Sequence, residues 1–174
     1  MNASGAGQIS QVAYVVEDLD LAIAHWVKLG VGPFFVGRHM KYARRVHRGE
    51  STDYDISAAF AFSGDLQIEL IEQHNAAPSA MQDFIRSRGY GVQHLGVLVD
   101  DIAAGAERLA AQGFPQLSQS VSEVGVETRF FDIGLDGGCV LELIQKNQML
   151  ETAFAQMKEA SRVWSRGDPY LHEF

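Results

Sequence analysis

Two stretches of the chain repeat one another. Gln11 to Gly30 reads QVAYVVEDLDLAIAHWVKLG, and His94 to Gly113, 83 positions later, reads HLGVLVDDIAAGAERLAAQG. Val16 falls on Val99, Asp18 on Asp101, Leu19 on Ile102 and Gly30 on Gly113. A second echo, 73 positions apart, sets GDLQIELIEQ (Gly64 to Gln73) against GGCVLELIQK (Gly137 to Lys146). Self-similarity of this kind marks a chain built as two copies of one unit, and the unit can be read twice. At 174 residues the chain holds one ordinary domain or two small modules packed together.

The unit reads β-α-β-β-β. In 9–16, Val12, Tyr14 and Val16 alternate with Gln11, Ala13 and Val15, and the β-branched content suits a strand. Asp18 then caps a helix whose apolar stripe is Leu19, Ile23, Trp26 and Val27, and Gly30 ends it. Asp101, Ile102, Ala106, Leu109, Ala110 and Gly113 repeat the pattern. Period-two alternation predicts further strands near 33–40, 54–63 and 66–73 in one half, and near 117–123, 127–134 and 138–145 in the other. Such a unit buries one sheet face under its helix. Pairing two of them buries the other face and curves the sheets around a shared hollow. The expectation is an α+β fold: two tandem βαβββ modules forming a curved mixed sheet around a central cavity, plus a C-terminal helix. Residues 1–174 make one domain, with module one at 8–74, a linker helix in 75–90, module two at 91–146 and a helical extension at 147–174. In that extension Leu150, Phe154 and Met157 form a stripe that packs on the body or on a second subunit.

The polar exceptions fall at matching places. Gln11 and His94 open the two first strands, and Glu69 and Glu142 sit inside two very apolar last strands. A carboxylate buried in such a strand needs a partner: an arginine, a solvent-filled cavity or a metal. If a pseudo-twofold axis relates the halves, Gln11 and Glu69 meet His94 and Glu142. One imidazole, one amide oxygen and two carboxylates suit a divalent metal of borderline or hard character.

Composition excludes some functions. The net charge of −8 argues against a general nucleic-acid binder. The amino terminus, MNASGAGQIS, has no basic and apolar regions of a secretory signal, and the apolar runs are too short to span a bilayer. A lone cysteine, Cys139, fits a reducing compartment, so a cytoplasmic location is expected. Arg38, Lys41, Arg44, Arg45 and Arg48 form a basic segment, read as a solvated loop or as a contact for a carboxylate or a thioester carrier's phosphates.

Over residues 8 to 146 the chain resembles the vicinal oxygen chelate superfamily, which includes glyoxalase I and methylmalonyl-CoA epimerase. VVEDLDLAIAHW, IELIEQ, RGYGVQHLGVLVDDI and GGCVLELIQ carry the resemblance. Members place a ligand on the first and last strand of each module, which falls here on Gln11, Glu69, His94 and Glu142. The stretch RGYGVQH is similar to the epimerase's approach to its metal-binding histidine. The set glutamine–glutamate–histidine–glutamate is similar to that of eukaryotic glyoxalase I. One histidine with two carboxylates argues against an extradiol dioxygenase, which uses two histidines and one carboxylate.

The resemblance implies a divalent-metal-dependent isomerase, epimerase or lyase that removes a proton next to a carbonyl. It implies one ion per site (zinc, nickel, cobalt or manganese), with Glu142 as first choice of base and Glu69 as its counterpart. The implied substrate is a small carbonyl compound or an acyl thioester, and the implied assembly a homodimer without nucleic-acid or membrane partners. Phe34, Phe35, Tyr42, Tyr54, Phe60 and Phe130, with Arg45 from the basic segment, are the candidate substrate contacts. The alternative is a metal-free protein of the bleomycin-resistance type that sequesters a drug or an aromatic metabolite.

Overall fold

Asp18 and Asp101 start two matched helices in the same way in the computed structural model, which describes residues 7–136, 138–165 and 170–174. The first six residues, Gly137 of the second echo and residues 166–169 of the carboxy-terminal extension lie outside the described residues. The Asp18 carboxylate accepts from the Leu21 N–H at 2.8 Å and that of Asp101 from the Ala104 N–H at 2.9 Å. Each satisfies a donor that the first helical turn leaves open. Gly30 and Gly113 follow the helices at φ 89° and 87°, a left-handed turn open to glycine at no steric cost.

The described elements, in chain order, are β1 (Ile9–Val15), α1 (Leu19–Lys28), β2 (Phe34–Gly37), β3 (Tyr42–His47), β4 (Glu50–Ser51), β5 (Ile56–Ser63), β6 (Leu66–Gln73) and α2 (Ala80–Arg88). There follow β7 (Gly91–Val99), α3 (Ile102–Ala111), β8 (Gln116–Ser122), β9 (Glu127–Phe131), β10 (Val140–Gln145), α4 (Gln148–Val163) and β11 (Leu171–Glu173). The eleven strands form one curled mixed sheet, a half-barrel, in the order β11-β2-β5-β6-β1-β7-β10-β9-β8-β3-β4. The fold is α+β, with four helices including the carboxy-terminal one. The two copies meet where β1 pairs antiparallel with β7, and each of these pairs parallel with the last strand of its own copy, β6 or β10.

The sheet's outer face is apolar under the helices. Leu19 and Ile23 of α1 pack on Phe34, Val36, Ile68 and Leu70, and Ile102 and Leu109 of α3 on Val97, Phe131, Leu141 and Leu143. Fully buried side chains such as Leu19, Ile23 and Leu70 each contribute roughly 1.5–3 kcal/mol. The inner face surrounds the hollow, whose floor combines Val15, Ile56, Ile71, Leu117 and Val140 with Ala80 and Met81 from α2. Among the described residues no helix is long and apolar enough to cross a membrane.

The structure corrects the reading of the basic segment. Residues 42–47 are strand, not solvated loop, and β3 leaves its own half to pair antiparallel with β8 of the other. The expected strand over 33–40 therefore stops at Gly37, and the chain turns through His39 at φ 48°. The exposed backbone edge of β8 supplies the partner that the charged sequence of β3 does not advertise. The carboxy-terminal extension is also not purely helical, because β11 pairs parallel with β2. The strand expected over 127–134 ends at Phe131, where the Asp132 carboxylate accepts from the Gly134 N–H and forms a turn.

Candidate metal centre

The four middle strands, β6, β1, β7 and β10, each carry one polar donor onto the concave face. Cross-strand register sorts them into two adjacent rows. One row runs Glu69, Ala13, His94, Val140; the next runs Gln67, Gln11, Gly96, Glu142. Neighbouring strands lie about 4.8 Å apart, so donors on four consecutive strands converge only if something small stands between them. Ala13 separates Glu69 from His94, and Gly96 separates Gln11 from Glu142. A Cβ on Gly96 would lie 2.3 Å from the Gln11 amide oxygen, so that approach requires glycine.

Two irregularities in the β1–β7 pair set the aim. Ser10 is the extra residue between the pairs Ile9–Val97 and Gln11–Gly96; Gln93 is the extra one between Ala13–His94 and Tyr14–Val92. The second bulge lets two consecutive residues, Gln93 and His94, both be fully buried and bonded to each other. The Gln93 Oε1 accepts the His94 Nδ1–H at 2.7 Å, which fixes the tautomer and leaves Nε2 facing the centre. In the same way the Gln67 Oε1 accepts from the Gln11 Nε2 at 2.8 Å and turns the Gln11 carbonyl oxygen inward.

His94 Nε2 then lies 3.2 Å from Glu69 Oε2, 3.2 Å from Glu142 Oε2 and 3.3 Å from Gln11 Oε1. The ligand atoms of Glu69, His94 and Glu142 all lie within 4.8 Å of one another. All four residues are buried, the two carboxylates at only 8% and 7% exposure. Three oxygens converge on one nitrogen, and a single proton there cannot bond all three. Burial alone would lower the His94 pKa, but the Glu142 and Glu69 carboxylates outweigh it and raise it to about 9. Burial raises the Glu69 pKa as well, helped by the charge of Glu142 and opposed by His94. The three distances from His94 Nε2 match a divalent cation's donor set, since donors about 2.1 Å from one ion at tetrahedral or octahedral angles are themselves about 3.0–3.4 Å apart.

The donors end a cavity of about 500 Å³ whose remaining lining is mostly apolar. Of the residues expected to contact substrate, Phe35, Tyr42, Tyr54, Phe60 and Phe130 line it. Phe60 stands opposite Glu69 in register and Phe130 opposite Glu142, matching the duplication. The Phe130 ring meets the His94 ring edge-on, with centroids 5.1 Å apart. Phe34 does not belong to this set. It is fully buried on the opposite face with α1, because consecutive strand residues point to opposite sides and Phe35 takes the inner one. Arg45 is not in the lining either. Its guanidinium sits 5.5 and 5.3 Å from the ring centroids of Tyr42 and Tyr54 and donates to the Tyr54 carbonyl, so it packs against the two lining rings opposite Ser120.

Burial pushes the Tyr54 hydroxyl up to about 12, against opposing pulls from Ser120 and Arg45. It also raises Tyr42 well above its ordinary value, aided by the charges of Tyr54, Glu69 and Glu142. Both are neutral phenols at physiological pH.

Helix α4 roofs the cavity through Leu150, Phe154 and Met157. Asn147 caps it, Phe154 meets Phe62 edge-on, and Lys158 pairs with Asp65. Sequence reasoning missed Gln67, Gln93 and Gly96. A glutamine two residues before Glu69 and another immediately before His94, both inside apolar strands, were the available signal.

The sequence profile of the Glyoxalase/Bleomycin resistance protein/Dioxygenase superfamily matches residues 10–131. No curated protein sequence matches the chain. Among solved structures, methylmalonyl-CoA epimerase from Mycobacterium tuberculosis is similar at TM-score 0.60 and 23% identity, covering 87% of this chain and 97% of its own. A hypothetical protein from Bacillus halodurans C-125 has TM-score 0.57 and 18% identity, with coverage of 81% and 95%. A variant of Streptomyces coelicolor methylmalonyl-CoA epimerase in complex with 2-nitronate-propionyl-CoA has TM-score 0.55 and 16% identity, with coverage of 82% and 96%. At these identities the likeness is one of fold.

Proposed function

The chain belongs to the Glyoxalase/Bleomycin resistance protein/Dioxygenase superfamily, and from that premise we propose a divalent-metal-dependent isomerase, epimerase or lyase that removes a proton next to a carbonyl. The observation that carries the reading is the convergence of Gln11, Glu69, His94 and Glu142 at one end of an apolar cavity. Those four residues would hold the ion, which supplies Lewis-acid stabilisation for negative charge developing on the substrate's carbonyl oxygen.

The chain's own groups account for the rest. Glu142 takes the proton from the carbon next to the carbonyl. Glu69, from the other half of the sheet and protonated at the outset, delivers its own proton to another carbon or to the opposite face, so that the two carboxyl groups end with their protonation states exchanged. A pKa raised by burial suits Glu69 to hold a proton nearer neutrality than an ordinary carboxyl does. Phe60 and Phe130 exclude water beside the two carboxylates, and the hydroxyls of Ser120 and Thr128, bonded to each other at 3.0 Å, form a polar pair in the lining that substrate oxygens can join. The substrate is a small carbonyl compound or an acyl thioester. A cytoplasmic homodimer completes the proposal.

Metal analysis with proton exchange in heavy water tests it. The expected result is about one ion per chain, with loss of the α-hydrogen NMR signal from an α-hydroxycarbonyl that stops when a chelator strips the ion.

A second reading has a specific observation behind it. His94 carrying its own Nε2 proton between Glu69 and Glu142 forms a self-contained charged cluster, as a metal-free binding protein requires. Protein that is metal-free after growth and dialysis with divalent ions, yet binds small aromatic molecules undiminished, would establish that reading instead.

A further inference from the structure

The cavity ends in acidic and amide donors around His94, and its positive charge is confined to that end. Among the described residues that line it there is no lysine and no arginine. Its remaining polar groups are neutral hydroxyls and one amide. None of the basic segment is in the lining: Arg38 is held by Asp20 and Glu173, Arg48 by Asp83, Arg45 packs against the rings of Tyr42 and Tyr54, and Lys41 and Arg44 are exposed. The rim is apolar as well. Val124, Met149 and Phe174 line the cavity and are also 65%, 48% and 69% exposed, so the route inward passes between them.

Resting on the metal-centre reading above, we infer that the substrate is an uncharged, hydrophobic carbonyl compound taken whole into the cavity, and not a CoA thioester or another polyanion. A volume of about 500 Å³ suits a compact drug-sized molecule with its oxygens at the donor end. A carboxylate or phosphate held in the apolar part, away from the donor end, would lose its hydration and meet no lysine or arginine there. A CoA carrier would have to leave past Val124, Met149 and Phe174, and its charged groups would find no cation along the lining. The roof residues Leu150, Phe154 and Met157 instead offer surface to rings or alkyl chains.

Calorimetric titration of zinc- or nickel-loaded protein distinguishes the classes. The probes are benzoin, an uncharged α-hydroxyketone bearing two phenyl rings, and methylmalonyl-CoA. Benzoin is expected to bind at least tenfold more tightly. Ala153→Trp, which fills the cavity from α4, is expected to weaken benzoin at least tenfold with metal content unchanged; Ala153→Leu gives a smaller step of the same test if the larger side chain prevents folding. Absence of benzoin binding overturns the inference, as does methylmalonyl-CoA binding of equal strength. Benzoin binding untouched by either Ala153 variant also overturns it, because the ligand then lies elsewhere. Exchange of the α-hydrogen of methylmalonyl-CoA overturns the substrate class while upholding metal-assisted proton removal. Benzoin binding that survives complete metal removal rejects the metal reading and leaves the hydrophobic preference standing.

Discussion

Gly96 lies directly opposite Gln11 across the β1–β7 pair, and a methyl group built on it would come within 2.3 Å of the Gln11 Oε1. Gly96→Ala therefore displaces Gln11 from the donor set, because the three atoms nearest the added methyl all belong to Gln11. The expected result is a loss of divalent-metal affinity on the order of 10–100-fold, read by competition with a chromogenic chelator. Wild-type affinity in this variant would remove Gln11 from the set.

Gln93→Leu keeps similar bulk and deletes the acceptor of the His94 Nδ1–H. An unmatched buried N–H costs about 1–3 kcal/mol, which for a chain of this size lowers Tm by roughly 2–12 °C. Nitrogen-15 NMR of the metal-free protein above about pH 9, where the ring is neutral, should show it redistributing between tautomers. A ring fixed in its wild-type tautomer would mean that Gln93 has no positioning role.

The charge on His94 gives the metal-free protein a distinct pH response. Its folded pKa of about 9 stands above the ordinary 6.5 because the Glu142 and Glu69 carboxylates overcome the effect of burial. The folded state holds a proton that the unfolded chain releases, so this contribution is complete below pH 6.5 and disappears as pH rises through about 9. Each pH unit within that window removes at most about 1.4 kcal/mol. Urea unfolding with a chelator present should show stability falling over the window, and a saturating divalent ion should flatten the curve. Metal-free stability that holds level or rises there contradicts the assignment.

Glu142→Gln preserves shape and removes a base. α-Proton exchange should fall about 10²–10⁴-fold with the far-UV circular dichroism of the wild type retained. Glu69→Gln, measured alongside it, separates the two carboxylates: equal losses mean that both move protons, and an unaffected Glu142→Gln enzyme assigns the base elsewhere.

The centre was legible because its residues break a strong pattern twice. A glutamate within LQIELIEQ and another within VLELIQ cannot be ordinary core, and the 83-residue offset pairs Gln11 with His94. Alternation along each strand then assigns these donors to one face. It does not give the origin of that alternation where a strand is short. Phe34 and Phe35 are equivalent in the sequence, and a one-residue choice sends one ring to the core and the other to the cavity. Nor does a local pattern show a bulge such as the one at Gln93, or the spacing role of Ala13 and Gly96, since both arise only when two distant strands are laid side by side. The course of β3 was hidden for the same reason: its partner β8 lies in the other half, and its own residues are too charged to read as strand.

That crossing strand binds the fate of each half to the other. Because β3 is encoded in the first copy but closes the edge of the second, a polypeptide cut between β6 and α2 would leave Gln116–Ser122 as a bare hydrogen-bonding margin. Such a fragment would recruit a strand from a sister molecule or aggregate. The two copies have thus lost their autonomy, and neither is a portable building block, however clearly the chain records that it began as one.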